Sequence, residues 1–175
     1  GSLFELSQRN MKKDYVQVDP VIAKAVEILQ KASANDGGLT GVPTGYVKLD
    51  EKTSGWQSSD LVIIAGRPAM GKTSFALSLA KNIAVDYHVP IAFFSLEMNN
   101  VQLVNRLISN VCEIPGNKML NGQLTPDEWD RLDKRIGNLQ GAPLYIDDTP
   151  GLSIFELRTK ARRLVKEKGV KILMI

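Results

Sequence analysis

An apolar stretch of the chain leads directly into a glycine-rich segment and then into a predicted helix. The stretch covers residues 61–65, and the segment after it has the spacing GxxxxGKT from Gly66 to Thr73. Two glycines at this spacing let the backbone turn so tightly that consecutive N–H groups point inward, as the oxygens of a phosphate group require. A helix that starts at once adds the positive end of its dipole. The pattern therefore predicts a strand, a phosphate-binding loop and a helix, in that order.

The side chains of this loop suit a nucleotide and a metal ion. Lys72 is expected to contact the β- and γ-phosphates as a point charge, and the Thr73 hydroxyl is expected to be a ligand of Mg²⁺. Lys72 is also a predicted catalytic residue, because its charge offsets the negative charge of the phosphates. The predicted nucleotide-binding residues are Gly66, Arg67, Pro68, Ala69, Met70, Gly71, Lys72, Thr73 and Ser74.

Composition limits the class of protein. A chain of 175 residues with 43% hydrophobic residues is long enough for one packed domain with an appendage. The single cysteine excludes an internal disulfide framework and favours a reducing compartment, and the apolar stretches are too short to cross a bilayer. We therefore expect a cytoplasmic protein without a membrane partner. The net charge of +3 is compatible with nucleic acid but does not require it.

Predicted strands and helices alternate along most of the chain. Residues 91–96 are almost continuously apolar, which is typical of a strand covered on both faces, and shorter strands are predicted over 144–146 and 171–175. Helices are predicted from the proline start at Asp19-Pro20 and from the capping boxes Thr125 to Glu128 and Ser153 to Glu156. The alternation predicts an α/β fold with three layers around a mainly parallel sheet.

A loop rich in glycine separates the first predicted helix from the rest of the chain. It starts at residue 35 and continues to Gly45 with few groups that can enter a core. We therefore expect a helical linker over residues 3–38 and a nucleotide-binding core over residues 39–175. Within the linker, residues 3–13 form a short apolar stripe that is too small to stabilise a helix alone, so we expect it to dock on another subunit.

Glu97 follows the strand predicted over residues 91–96, and ligands of open α/β sheets gather where strands end. A carboxylate there can orient or deprotonate the water that attacks the γ-phosphate. The same position also suits a negative charge that favours the start of the next helix. The residues alone leave both interpretations open.

Two places compete for the acidic residue on the metal side of the site. Asp147 and Asp148 follow the strand over 144–146, whereas the more apolar strand over 171–175 ends before any acid. We favour the second strand, which places the expected aspartate after Ile175, outside this chain. Asp147-Asp148 then forms a polar turn near the site, and contact of Asp147 with the metal is the alternative.

With these residues laid out, the chain resembles the replicative DNA helicases of the DnaB family. The likeness covers nearly the whole chain and rests on an ordered set of motifs. These are Thr40-Gly-Val-Pro-Thr-Gly45 with Leu49-Asp50, Ser54-Gly55, Asp60-Leu61, Arg67-Pro-Ala-Met-Gly-Lys-Thr73, Phe94-Ser-Leu-Glu-Met98 and Ile146-Asp-Asp-Thr-Pro-Gly151. Residues 4–9 match the linker that precedes the motor domain in this family.

The resemblance implies a RecA-like P-loop NTPase, preceded by a linker helix, that hydrolyses ATP with Mg²⁺ as part of a bacterial hexameric ring. It assigns the phosphate and metal roles to Lys72 and Thr73 and the role of catalytic glutamate to Glu97. It also implies single-stranded DNA, a primase and a helicase loader as partners of the full-length protein. The metal-side aspartate, the DNA-binding loops and the arginine finger are expected outside this chain, so we expect the chain alone to be inactive.

Two other functions remain open at this point. A RecA-like ATPase of recombination or repair has a similar core but does not usually have a linker like residues 4–9. A nucleotide-binding or docking module without turnover is the alternative from a different class, and an assay of phosphate release separates it from an enzyme.

Overall fold

The computed structural model describes residues 16–34 and 38–175. The chain divides into two compact units, Gly1–Thr40 and Gly41–Ile175. The described elements are α1 (Val18–Ala34), α2 (Val47–Thr53), α3 (Lys72–Lys81), a π-helical turn (Asn82–Asp86), β1 (Ile91–Phe94), α4 (Asn100–Cys112), α5 (Gly116–Asn121), α6 (Pro126–Ile136), β2 (Leu144–Asp147), α7 (Ile154–Lys168) and β3 (Ile172–Met174).

Helix α1 is the element that the structure describes in the first unit. Its start near Asp19-Pro20 and its end at Ala34 confirm the prediction, and Glu27 forms an exposed ion pair of 2.6 Å with Lys31 one turn later. Its apolar side chains are largely exposed within this unit: Val18, Val21, Ile22, Val26, Ile28 and Leu29. The helix predicted over residues 3–13 lies outside the described residues.

The second unit is built on a parallel sheet with the strand order β2-β1-β3. Ile91 of β1 is opposite Leu144 on one side and opposite Ile172 on the other. All four residues of β1 are buried, as the continuous apolar sequence predicted. The predicted parallel sheet is therefore confirmed.

Helices cover both faces of this sheet. Ile91 and Phe93 pack with residues of α3, the π-helical turn and α4 in one cluster: Leu77, Leu79, Ala80, Ile83, Ala84, Leu103 and Leu107. Ala92 and Phe94 point to the other face, where Val170 and the α7 residues Leu157 and Leu164 pack against them. The alternation of side chains along β1 thus produces three layers, which confirms the predicted architecture.

The prediction of a strand over residues 61–65 is wrong. This segment has no strand assignment, and Leu61 and Ile63 are 87% and 78% exposed. A strand requires a neighbouring backbone to complete its hydrogen bonds. Within the described residues, β1 is paired on both sides and no ladder reaches residues 61–65. Apolar composition is therefore not sufficient for a strand here.

Phe75, in the first turn of α3, lies outside the buried face of this helix. It is 38% exposed, and its ring packs against Tyr46 with 5.4 Å between the ring centroids. The buried face of α3 is instead formed by Leu77, Leu79 and Ala80, and it continues into the π-helical turn through Ile83 and Ala84. The extra residue in a π turn shifts the helical face relative to a regular 3.6-residue period.

Candidate functional site

The phosphate-binding loop has the local conformation that its glycines predicted. Gly71 is in the left-handed region with φ of 84°, and it is the N-cap of α3. The N–H of Met70 donates to the carbonyl of Arg67 at 3.2 Å, and the N–H of Phe75 donates to the carbonyl of Gly71 at 2.9 Å. Helix α3 begins at Lys72, so the N–H groups of its first turn have no partner within the helix.

The side chains at the start of α3 are available to a ligand. The loop from Gly66 to Lys72 is exposed. Among the described residues, Lys72 forms no ion pair and Thr73 has no side-chain hydrogen bond. An uncompensated lysine beside unpaired N–H groups at a helix N-terminus fits a phosphate group, which carries the opposite charge and accepts hydrogen bonds. The loop residues therefore fit a nucleotide.

Ser74 faces a neighbouring helix as well as the loop. Its hydroxyl accepts a hydrogen bond of 3.4 Å from Nη1 of Arg106, and one turn later the Ser78 hydroxyl accepts one of 3.1 Å from Nδ2 of Asn110. Both donors belong to α4. The helix that starts at the phosphate-binding loop is thus connected to α4 by two polar contacts in addition to the apolar core.

Glu97 lies in the segment between β1 and α4, and its side chain is exposed. The segment starts at Ser95, whose N–H donates to the carbonyl of Asp147 at 2.8 Å and whose hydroxyl accepts from the N–H of Met98 at 3.1 Å. It ends at Asn99, which forms a capping box with Gln102 at the start of α4. Glu97, the predicted catalytic residue, therefore lies in a short segment that hydrogen bonds hold at both ends.

The two predicted aspartates lie at the last position of β2 and at the first position of the turn after it. The Asp147 carboxylate accepts hydrogen bonds from Lys160 at 2.6 Å and from the hydroxyl and N–H of Thr149 at 2.6 and 3.0 Å. Burial alone raises the pKa of the Asp147 carboxyl, but the hydrogen bonds from Lys160 and Thr149 outweigh it and the pKa lies below its ordinary value. Asp148 accepts a hydrogen bond of 2.8 Å from the N–H of Asn100.

These contacts bear on the alternative metal role of Asp147. Its carboxylate is already engaged by a lysine, and no group of three or more His, Cys, Asp or Glu side chains suited to a metal occurs among residues 16–34 and 38–175. The geometry thus favours a structural ion pair at Asp147. The expectation that the metal-side aspartate follows Ile175 stays a prediction.

A buried polar cluster, not predicted from the sequence as a structural unit, lies close to the end of α3 in the fold. Asp50 accepts hydrogen bonds from the N–H and hydroxyl of Thr44 at 2.9 and 2.7 Å and from the N–H of Gly45 at 3.2 Å. Nδ2 of Asn82 donates to the carbonyl of Thr44 at 3.3 Å. A side chain at Gly45 would lie 2.7 Å from Asn82, and its φ is 80°, so only glycine fits. Thr44 and Asp50 lie six positions apart in the first of the motifs that resemble the DnaB family. This was the signal in the sequence from which the cluster could have been predicted.

The second compact unit corresponds to a known protein family. Residues 41–175 match the family described as "DnaB-like helicase C terminal domain". The chain belongs to this family. The match begins at Gly41, where the second compact unit begins, and it includes the phosphate-binding loop, Glu97 and the Asp147-Asp148 turn. It confirms the resemblance to the DnaB family.

Curated relatives of this DnaB-like domain carry the names of replicative helicases. The replicative DNA helicase DnaB of Geobacillus stearothermophilus is 39% identical over 173 residues, which are 99% of this chain and 38% of that protein. The replicative DNA helicase DnaC of Bacillus subtilis (strain 168) is 37% identical over 174 residues, again 99% of this chain and 38% of that protein. The chain therefore spans about two fifths of the length of these relatives.

Two solved structures have the same fold. One, described as an ATPase domain, has a TM-score of 0.81 at 32% identity, covering 93% of this chain and 57% of that one. The other, a DnaB-like replicative helicase described together with its interactions with primase, has a TM-score of 0.79 at 31% identity, covering 99% of this chain and 41% of that one. The predicted RecA-like α/β fold is confirmed. Within the described ranges, no helix is both long and apolar enough to traverse a membrane.

Proposed function

We propose that this chain is the nucleotide-binding part of an ATP-dependent, ring-forming replicative DNA helicase. The observation that carries the proposal is the loop from Gly66 to Thr73, in which Gly71 caps α3 in the left-handed conformation and Lys72 lacks a carboxylate partner among the described residues. Membership of the DnaB-like family supports the link from this loop to strand separation, because the named relatives are replicative helicases.

Each site residue has a role in this proposal. The loop N–H groups and Lys72 hold the β- and γ-phosphates of ATP, and the Thr73 hydroxyl contributes a ligand for Mg²⁺. When bound, Mg²⁺ supplies charge stabilisation at the phosphates. Glu97 accepts a proton from the attacking water or orients that water. The N–H groups at the start of α3 are fixed before the substrate arrives, so little reorganisation accompanies binding.

The remaining parts of the proposal concern assembly. Full-length subunits form a hexameric ring in the bacterial cytoplasm, and the ring binds single-stranded DNA, a primase and a helicase loader. Residues 3–13 dock on the neighbouring subunit, so that a head-to-tail contact closes by rotation. Hydrolysis requires groups from outside this chain, and this chain alone binds nucleotide without measurable turnover.

Nucleotide binding is tested first with this chain. Titration with a fluorescent purine nucleoside triphosphate and Mg²⁺ should give saturable binding that Lys72→Ala removes. Lys52→Ala is the matched control, because Lys52 is an exposed lysine of α2. Equal binding by wild type and Lys72→Ala, with both proteins folded, contradicts the assignment of the loop.

Turnover is tested in the full-length protein. Glu97→Gln should preserve ATP binding and lower the rate of phosphate release by about 10²- to 10⁴-fold, because loss of a general base has effects of that size. Glu51→Gln changes an exposed glutamate of α2 and serves as the control. Full activity of Glu97→Gln contradicts the catalytic role, and no phosphate release by the wild-type ring favours a docking module without turnover.

A further inference from the structure

We propose that Asp148 is a positioning residue for ATP hydrolysis, which acts by fixing the segment that carries Glu97. The inference rests on the proposed function, because it assumes that Glu97 is the catalytic base. Asp148 lies 48 positions after Asn100 in the sequence, yet its Oδ2 accepts a hydrogen bond of 2.8 Å from the N–H of Asn100. This contact connects the turn after β2 to the first residue of α4.

The segment around Glu97 is held at both ends by two consecutive residues, the last of β2 and the first of that turn. At its start, the N–H of Ser95 donates to the Asp147 carbonyl at 2.8 Å, which extends the ladder between β1 and β2 by one residue. At its end, the N–H of Asn100 donates to the Asp148 carboxylate. Glu97 lies midway between these anchors. Its location therefore depends on the location of residues 147 and 148.

The turn itself is fixed from the opposite side of the sheet. Nζ of Lys160 lies 2.6 Å from Oδ2 of Asp147 and 2.6 Å from the Thr149 hydroxyl. Lys160 belongs to α7, whose Leu157 and Leu164 pack on the face of the sheet away from α3. The side chain of Asp147 is engaged in this ion pair. The carboxylate that contacts α4 is therefore that of Asp148.

Helix α4 also has a second set of attachments, to the helix of the phosphate-binding loop. Arg106 and Asn110 donate to the hydroxyls of Ser74 and Ser78 at 3.4 and 3.1 Å. With Asp148 in place, α4 is fixed at its first residue by the sheet and along its length by α3. Loss of Asp148 removes the bond between the first residue of α4 and the turn after β2, so that the segment before α4 can shift together with its capping box at Asn99, while the loop that binds the phosphates keeps its own contacts.

This arrangement predicts a specific kinetic change. Misplacement of a catalytic group by about 1 Å lowers a rate by up to about 10²-fold. In the full-length protein, Asp148→Ala should therefore lower kcat for ATP hydrolysis by about 10- to 100-fold while leaving KM and the affinity for a fluorescent nucleotide within about twofold. Asp148→Asn should restore most of kcat, because its amide oxygen can still accept the N–H of Asn100.

Controls separate this role from others. Asp127→Ala removes an exposed carboxylate from the first turn of α6 and should leave kcat unchanged. Lys160→Met, which removes the partner of Asp147, should lower kcat in the same direction as Asp148→Ala. Urea unfolding of each variant verifies that the fold is retained.

The outcomes are distinct. If Glu97→Gln abolishes hydrolysis and Asp148→Ala stays within twofold of the wild-type kcat, the positioning role is wrong and the proposed function stands. If Asp148→Asn is as impaired as Asp148→Ala, the negative charge is required and a role at the metal replaces the positioning role. If Asp148→Ala loses nucleotide affinity in parallel with kcat, the positioning role is also overturned. Full activity of Glu97→Gln instead overturns the catalytic role of Glu97 in the proposed function.

Discussion

Substitution of Asp50 by alanine should strongly destabilise the second unit. Asp50 is 7% exposed, and its carboxylate accepts three hydrogen bonds, two from Thr44 and one from the N–H of Gly45. Thr44 is fully buried, so its N–H and hydroxyl have no access to water as a replacement acceptor. Hydrogen bonds to a charged group contribute about 1.5–3 kcal/mol each, and a buried donor without a partner costs about 1–3 kcal/mol.

The three hydrogen bonds share one carboxylate, so their contributions to the free energy of unfolding are not additive. We therefore expect the free energy of unfolding to fall by about 3–5 kcal/mol in Asp50→Ala, which is at the upper end of single substitutions. The free energy of unfolding should fall less in Asp50→Asn. The amide oxygen can still accept both hydrogen bonds from Thr44, and the loss comes from the amino group, which faces the N–H of Gly45. Glu51→Ala, which removes an exposed charge from the same helix, should change the free energy by less than about 0.5 kcal/mol.

Urea denaturation followed by tryptophan fluorescence measures these differences. Trp56 is a local reporter, since its N–H and carbonyl pair with Val42 in an isolated bridge at 2.8 Å, and a Trp129→Phe background removes the other tryptophan. The reasoning is refuted if Asp50→Ala unfolds within about 1 kcal/mol of Glu51→Ala, because buried hydrogen bonds to a carboxylate cannot then be what stabilises this cluster.

Three further predictions concern other parts of the chain. Hydrogen bonds from Lys118 and from the N–H of Thr125 hold the pKa of Glu128 below its ordinary value of 4.5, so its contribution to stability is present above pH 4.5 and is lost as the pH falls through the lowered pKa. Between pH 5 and 3 the free energy of unfolding of wild type should thus decrease more than that of Glu128→Gln, and parallel pH profiles in urea would contradict this. Burial raises the pKa of the Cys112 thiol despite the nearby Arg135 and Arg131, so a thiol reagent at pH 8 should modify it only on unfolding, and fast stoichiometric labelling of the native chain would disprove this. In the full-length protein, Phe4→Asp with Leu6→Asp should weaken the hexamer in sedimentation without unfolding the subunit; an unchanged hexamer would show that residues 3–13 do not dock.

The features predicted correctly from the sequence depend on interactions within a few residues. The left-handed N-cap at Gly71 follows from the freedom of glycine, and the two predicted capping boxes, at Thr125 and Ser153, form as expected. The strand predicted over residues 91–96 forms over Ile91–Phe94, so Glu97 follows it in the segment before α4, close to its predicted place. Its catalytic role stays a prediction, as do the nucleotide-binding roles of the loop residues.

Contacts between distant residues were decided only by the tertiary structure. Residues 61–65 have a sequence typical of a strand, but β1 is paired by β2 and β3 and no described backbone pairs with them. The bond from Asn100 to Asp148 and the ion pair between Glu128 and Lys118 join residues whose proximity no local pattern encodes. A local motif contains both partners of its own hydrogen bonds, whereas a strand edge or a carboxylate needs a partner that only the complete packing of the chain brings within reach.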